Sequence, residues 1–286
     1  MPISLSSPTF WRDISRHLGT AQRDGALHYV VLDHTTEMRI IRRTREELFS
    51  STVMREGAGL SVVVNGNYYD VSTAGISDAL WGHDPVAAAE TTILGRLINR
   101  GSILGGRSSP NMFYFGQRSM PWTGRYTSTF ETDFGDPLPG SGMHAAIGGL
   151  GPLVVGGLRY GSGNRYRAGA PPSAPVTGRP GPAARPYLVQ RNNNTFVSAE
   201  SRATPTGKTI LASCTAEHKI LVAVQEDGIS PGVTYTALRD TLARLGFDHA
   251  VFLDGSDSST MMVSGGWVVR AAENKDETNV VGVGFT

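Results

Sequence analysis

The chain has one cysteine, Cys214, among its 286 residues, so no disulfide can close within it. It has no Cys/His cluster, and His83, Asp84 and Glu90 stand at no ligand spacing, so nothing suggests a zinc site. No run of about 18 apolar residues occurs, which excludes a helical membrane span. The first 20 residues carry Arg12, Asp13 and Arg16 without a continuous apolar block. A Sec signal peptide is therefore not expected. As written the chain reads as cytoplasmic, or as exported by a route that needs no such signal. A net charge of +1 gives no field suited to nucleic acid. There is no Walker loop, and Gly148-Gly149-Leu150-Gly151 is a poor dinucleotide fingerprint. Nothing in the sequence sets the oligomeric state. One absence is local: between Asp136 and Glu200 there is no acidic residue, while six arginines (159, 165, 167, 179, 185 and 191) and His144 fall there. Folded over a site, such a segment is a basic lid for an anion; the plainer reading is a solvated Pro/Gly insertion over about 159–191.

What the chain has in excess is glycine: 35 residues, about 12% against a usual share of about 7%. Either tight turns join many short strands, or backbone approaches a ligand closely. Ser7-Pro8 followed by Phe10, Trp11, Ile14 and Leu18 predicts a short helix, an extension over residues 1–27 packed on a domain spanning 28–286. Residues 28–33 and 38–43 predict a hairpin, and 60–64 a buried strand. Asp84-Pro85 opens a stretch to residue 100 whose Ala87, Ala88, Ile93, Leu94, Leu97 and Ile98 predict a helix. Residues 101–142 show no period. Beyond 205 the pattern is regular: strands at 210–213 and 220–225, a helix from Thr234 closed by Gly246, then strands at 251–253, 261–263, 267–269 and 280–285. The fold class predicted is α/β (α+β), one domain with a mixed β-sheet core flanked by helices.

Two loops pack polar residues directly after a buried-type strand. One is Asn65-Gly66-Asn67-Tyr68-Tyr69-Asp70; the other is Asp254-Gly255-Ser256-Asp257-Ser258-Ser259-Thr260. Small polar residues at a strand end offer hydroxyls, amides and carboxylates with little steric cover. Turn chemistry alone accounts for such loops about as well.

The stretch from Gly232-Val233-Thr234 through Leu245-Gly246 to Leu253-Asp254-Gly255-Ser256-Asp257-Ser258-Ser259-Thr260-Met261 resembles the signature of the phosphodiester glycosidase family. Asn65-Gly66-Asn67-Tyr68-Tyr69 is similar to that family's Asn-Gly-Gly-Phe-Phe block. Ala146-Ile147-Gly148-Gly149-Leu150-Gly151-Pro152-Leu153 is similar to its Gly-Gly-Pro-x-Leu segment. Ser201-Arg202-Ala203-Thr204 falls where it has an Arg-Thr pair. The four blocks stand in the family's order. Ser256, Asp257 and Asn67 replace family glycines, and Ser201 replaces the usual proline.

The resemblance implies a hydrolase that cleaves a glycosidic or sugar-1-phosphodiester linkage at the anomeric carbon. An oxocarbenium-like state calls for a carboxylate, and a phosphate for cations and amides. Asp254 is the expected central carboxylate, with Glu200, Asp70 and Asp257 as further candidates. Expected substrate contacts are Asn65, Gly66, Asn67, His144, Gly149, Arg202, Gly255, Ser256, Ser258, Ser259 and Thr260. Arg202 suits bidentate phosphate binding, and His144 suits acid–base work. Gly66, Gly148, Gly149, Gly151 and Gly255 are the glycines expected to let backbone approach substrate. No cofactor is required, although Asp254, Asp257 and Ser258 can hold a hard cation such as Ca²⁺. Two other readings stay open: a glycosidase of the same fold acting on a bacterial envelope glycan, as a delivered effector or phage protein, and a catalytically silent glycan-binding domain.

Overall fold

Every strand pairing among the described residues is antiparallel. The computed structural model describes residues 3–44, 47–66, 69–70, 92–93, 95–108, 112–120, 127–140, 142–160, 188–191, 195–198, 205–276 and 279–286. The chain opens with α1 (Phe10–Ile14), β1 (Gln22–Asp24), β2 (Leu27–Asp33), β3 (Met38–Arg42), α2 (Phe49–Glu56) and β4 (Val62–Asn65). Short strands follow, β5 (Tyr69–Asp70), β6 (Thr92–Ile93), β7 (Leu97–Asn99) and β8 (Ser102–Gly105), then β9 (Phe113–Met120), β10 (Thr127–Phe134) and β11 (Met143–Val155). Next come β12 (Leu158–Arg159), β13 (Leu188–Arg191), β14 (Thr195–Ser198), β15 (Lys208–Cys214), β16 (Lys219–Gln225), α3 (Tyr235–Arg244) and β17 (His249–Phe252). The chain closes with β18 (Met261–Val263), β19 (Gly266–Val269), α4 (Glu273–Asp276) and β20 (Val281–Phe285).

Among the described residues these strands build two main sheets. An eleven-stranded sheet runs β1-β2-β16-β15-β17-β11-β7-β8, with β9, β10 and β12 attached through β11. A five-stranded sheet runs β19-β18-β4-β20-β3. Side chains alternate across a strand, so each inner strand feeds two cores. In β2, Tyr29 and Val31 join Leu238 and Leu242 of α3, while Val30 and Leu32 join Val62, Val64, Val283 and Phe285 of the smaller sheet. The far face of the smaller sheet, at Ile41, Val63 and Met262, is covered by Phe49 and Val53 of α2. The layers are therefore helix, sheet, sheet, helix. The sheet-rich core flanked by helices is the expected architecture.

The helix from Thr234 forms as predicted. The Thr234 hydroxyl accepts from the Ala237 amide at 3.0 Å, an N-cap, and Gly246 at φ +84° ends it. The short N-terminal helix docks on the same layer, its Trp11 Nε1 donating to Leu245 O at 2.8 Å.

Two expectations about elements are overturned. The predicted hairpin does not form, because β2 pairs with β1 and β16 while β3 pairs with β20. The four residues between them cross from one sheet to the other. Both strands are buried on both faces, so each needs a partner in its own sheet, and a short link can join stacked sheets as well as neighbouring strands. The predicted helix over 85–100 fails in its second half, where residues 92–93 and 97–99 are strands; residues 84–91 lie outside the described residues. Its apolar pairs fit either period, but Gly95 at φ +102°, Arg100 at φ +50° and Gly101 at φ +77° break helical geometry, and β11 supplies the pairing edge. The stretch without visible period holds the long ribbon of β9 and β10, and the glycine-rich 145–155 is one continuous strand.

Candidate active site

β17 lies in the middle of the large sheet, between β15 and β11, and Leu253 carries it to the sheet end fully buried. Asp254 is the first residue beyond. From there the chain must reach β18 in the other sheet, and residues 254–260 are that crossing. β4, the partner of β18, ends at the same place with Asn65. The two polar loops picked out by sequence are thus adjacent strand ends of two stacked sheets.

Asn65 joins them. Its side chain is 1% exposed; Nδ2 donates to Asp254 O at 2.8 Å, and Oδ1 accepts from Thr209 Oγ1 at 2.7 Å and from the Thr260 amide at 3.1 Å. The Asp254 amide donates to Gly66 O at 3.1 Å. A buried amide with every one of these groups satisfied holds the loop in one arrangement. Thr260 Oγ1 donates to Val269 O at 3.0 Å, and Asn279 Nδ2 donates to Ser258 O at 3.2 Å. The Ser259 hydroxyl is buried with no hydrogen-bond partner among the described residues.

Within this frame the Asp254 carboxyl is half-buried, accepting from the Gly255 amide at 3.0 Å and from the Ser258 hydroxyl. Burial pushes its pKa up to about 6, from an ordinary 3.8. The charge of Asp257 adds to the rise; the Ser258 hydroxyl, the Lys275 ammonium and the Gly255 amide oppose it. Asp257 sits on the one-turn 3-10 segment Ser256–Ser258, its carboxylate 3.8 Å from Lys275 Nζ. Two carboxyls of the loop and an ammonium from α4 therefore lie together, and one carboxyl changes charge near neutrality. Such a group can take or give a proton.

The other candidates are placed as follows. Glu200, Asn67 and Arg202 lie outside the described residues, as does most of the arginine-rich segment. Asp70 pairs through its backbone with Thr92 in the two-stranded β5–β6 ribbon. His144 is not drawn into the loop: its Nε2 lies 3.1 Å from Glu37 Oε1 beside the β2–β3 crossing. The glycines have neighbours within the protein itself. A Cβ at Gly66 would strike Val281, one at Gly151 the Phe252 ring, and one at Gly255 would come 2.5 Å from Gly207 O. A Cβ at Gly95 would strike the Gly148-Gly149 backbone. Chain-on-chain packing already requires these residues. Sequence reasoning passed over Thr209, Lys275 and Asn279. Lys275 and Asn279 fall in a charged stretch without motif, and Thr209 is an unremarkable strand residue. Among the described residues no group of three or more His, Cys, Asp or Glu is gathered to hold a metal ion, and no helix is long and apolar enough to cross a membrane.

Residues 58–285 match the phosphodiester glycosidase family. No curated protein matches the chain. The zebrafish N-acetylglucosamine-1-phosphodiester alpha-N-acetylglucosaminidase catalytic domain, solved in a form auto-inhibited by its pro-peptide, is similar over 90% of this chain and 75% of its own, with a TM-score of 0.53 at 15% identity. A putative exported protein from Burkholderia pseudomallei is similar over 91% of this chain and 73% of its own, with a TM-score of 0.49 at 12% identity. A hypothetical protein from Synechocystis is similar over 91% and 58%, with a TM-score of 0.46 at 13% identity.

Proposed function

The chain belongs to the phosphodiester glycosidase family, and on that premise we propose that it hydrolyses a sugar-1-phosphodiester at the anomeric carbon with Asp254 as the central carboxylate. The observation that carries this reading is the Asp254 carboxyl itself, at the end of the central strand and raised to about 6. At neutral pH such a group is mostly ionised, yet basic enough to accept a proton. In the step proposed, a water oxygen bonds to the anomeric carbon while the C–O bond to phosphate breaks. The bonding pair leaves with the phosphate oxygen, and the water proton passes to Asp254. A phosphate monoester is a good leaving group, so the step draws more on charge stabilisation at the sugar and the phosphate than on a strong acid. The Ser258 hydroxyl and Gly255 amide orient the carboxyl, and Asn65 holds the loop that carries it.

Asp254→Asn tests the assignment. General acid–base catalysis contributes about 10²–10⁴-fold, so kcat on a sugar-1-phosphodiester is expected to fall by at least a hundredfold. In the unaltered enzyme kcat/KM is expected to rise with pH through about 6 as Asp254 ionises. Full turnover by the variant on every substrate the unaltered enzyme cleaves sinks the assignment.

A further inference from the structure

We infer that Lys275 is the phosphate-binding cation of this site, held in readiness by Asp257 until the substrate's phosphate takes its place. The inference rests on the reading of Asp254 above and extends it to the other half of the substrate.

Lys275 lies on α4, a single turn far from the loop in sequence but fastened to it in space. The Ala272 amide donates to Asp257 O at 2.9 Å, the Asn279 amide donates to Lys275 O at 2.8 Å, and Asn279 Nδ2 reaches Ser258 O. From the opposite side Asp276 accepts the Ser50 amide and hydroxyl, both at 2.6 Å, which ties α4 to the start of α2. The backbone that carries Lys275 is thus held on two sides. Its ammonium stands 3.8 Å from Asp257 Oδ1, at the outer limit of an ion pair, and its charge also reaches Asp254. The Lys275 side chain is 20% exposed and the Asp257 side chain 39%, so the pair borders solvent, where a ligand can enter. Lys208, the other lysine beside the loop, is 1% exposed and directed elsewhere. Its ammonium donates to Thr206 O at 2.6 Å and lies 5.4 Å from the Tyr235 ring centre.

An ammonium beside the proposed catalytic carboxyl, where the loop borders solvent, suits an anion poorly served by that carboxyl. A phosphodiester brings one negative charge into a loop that already holds two carboxyls. Without a cation the three repel, and exchanging Asp257 for a phosphate oxygen at Lys275 relieves this while leaving Asp254 facing the sugar. Asp257 then keeps the ammonium oriented between turnovers and weakens phosphate binding by competing for it.

The experiment compares a sugar-1-phosphodiester with the aryl glycoside of the same sugar, using the full-length protein and its Lys275→Met, Lys275→Arg and Asp257→Asn variants. A hydrogen bond to a charged group is worth about 1.5–3 kcal/mol, or about tenfold to a hundredfold. Lys275→Met is expected to lower kcat/KM by that factor on the phosphodiester, mainly through KM, and by less than threefold on the aryl glycoside. Lys275→Arg is expected to restore most of the loss, and Asp257→Asn to lower KM for the phosphodiester. Inorganic phosphate is expected to inhibit the unaltered enzyme competitively and the Lys275→Met variant about tenfold less well. Equal losses on both substrates, or unchanged phosphate inhibition, overturn the inference while leaving Asp254 in place. Failure of the unaltered enzyme to cleave any phosphodiester overturns the function proposed above instead. Circular dichroism and melting temperature separate a misfolded variant from a folded one with altered binding.

Discussion

Asp254 sets stability against chemistry in one side chain. Its folded pKa of about 6 stands above the ordinary 3.8. Between those values the folded protein keeps a proton that the unfolded chain has released, so stability falls as pH rises from about 4 to about 6 and stays lowered above. Asp254→Asn removes that cost and still offers an oxygen to the Gly255 amide. The variant is expected to be more stable than the unaltered protein at pH 8, by about 1–3 kcal/mol, with the gap closing near pH 3.5. Denaturant titrations at the two pH values check this; a variant less stable at pH 8 contradicts it. Asn65 works in the opposite direction, its one Nδ2 and two Oδ1 hydrogen bonds all holding the loop. Both residues were legible from sequence as polar positions after apolar strands. Lys275 was not, because a lysine among glutamate, asparagine and aspartate looks like any solvated turn until its neighbours are known.

At the scale of elements, the site is a seam between strand ends. Residues 254–260 leave the large sheet and enter the small one, and Gly255 is where that crossing touches the turn before β15. A methyl there meets Gly207 O at 2.5 Å, and backbone on both sides leaves little to yield. Gly255→Ala is expected to destabilise by about 2–3 kcal/mol, in the range for forced overpacking. It is also expected to lower kcat by moving Asp254 and Ser258. Melting temperature and turnover measured together check this, and an unchanged melting temperature contradicts it. The elements that sequence predicted well were those whose signals are local, such as α3 with its Thr234 cap and Gly246 stop. The elements it missed depend on distant partners. β2 and β3 read as a hairpin because apolar runs four residues apart usually pair, and nothing local says that they belong to different sheets. β7 read as helix because its apolar residues fit two periods, and the choice between them was made by β11, whose Ala146 and Ile147 pair with Ile98 and Leu97.

For the molecule as a whole, the two-sheet core takes in histidines as well as aliphatics, His34 buried and His249 half-buried. His34 is held 3.1 Å from both Ser213 Oγ and Lys219 O, and His249 accepts the Thr132 amide at 3.1 Å. Burial lowers the pKa of each. Around His34 stand His218, Asp248 and Asp33, and around His249 stand Asp248, Glu131 and Asp133; these carboxylates only partly offset the burial. A depressed histidine pKa means that the unfolded chain takes up protons first, so stability is lost as pH falls below about 6.5. This slope opposes that of Asp254 in the region where the two overlap. The melting temperature is expected to drop between pH 7 and pH 5, and a His34→Asn, His249→Gln double variant to flatten that drop. An equally steep drop in the double variant contradicts it.

The amino-acid sequence by itself determined a sheet-rich single domain, the helix at Thr234, the two polar loops and the family to which they point. These are set by local periodicity, capping and residue order, which act over a few residues. Tertiary structure alone decided which strands share a sheet, that Asn65 and Asp254 are neighbours 189 positions apart, and that Lys275 joins them. It also set which neighbours the motif glycines pack against. The absent side chains of Gly66, Gly151 and Gly255 leave room for Val281, Phe252 and Gly207, because paired strands and the turn before β15 approach too closely at those points for even one methyl group.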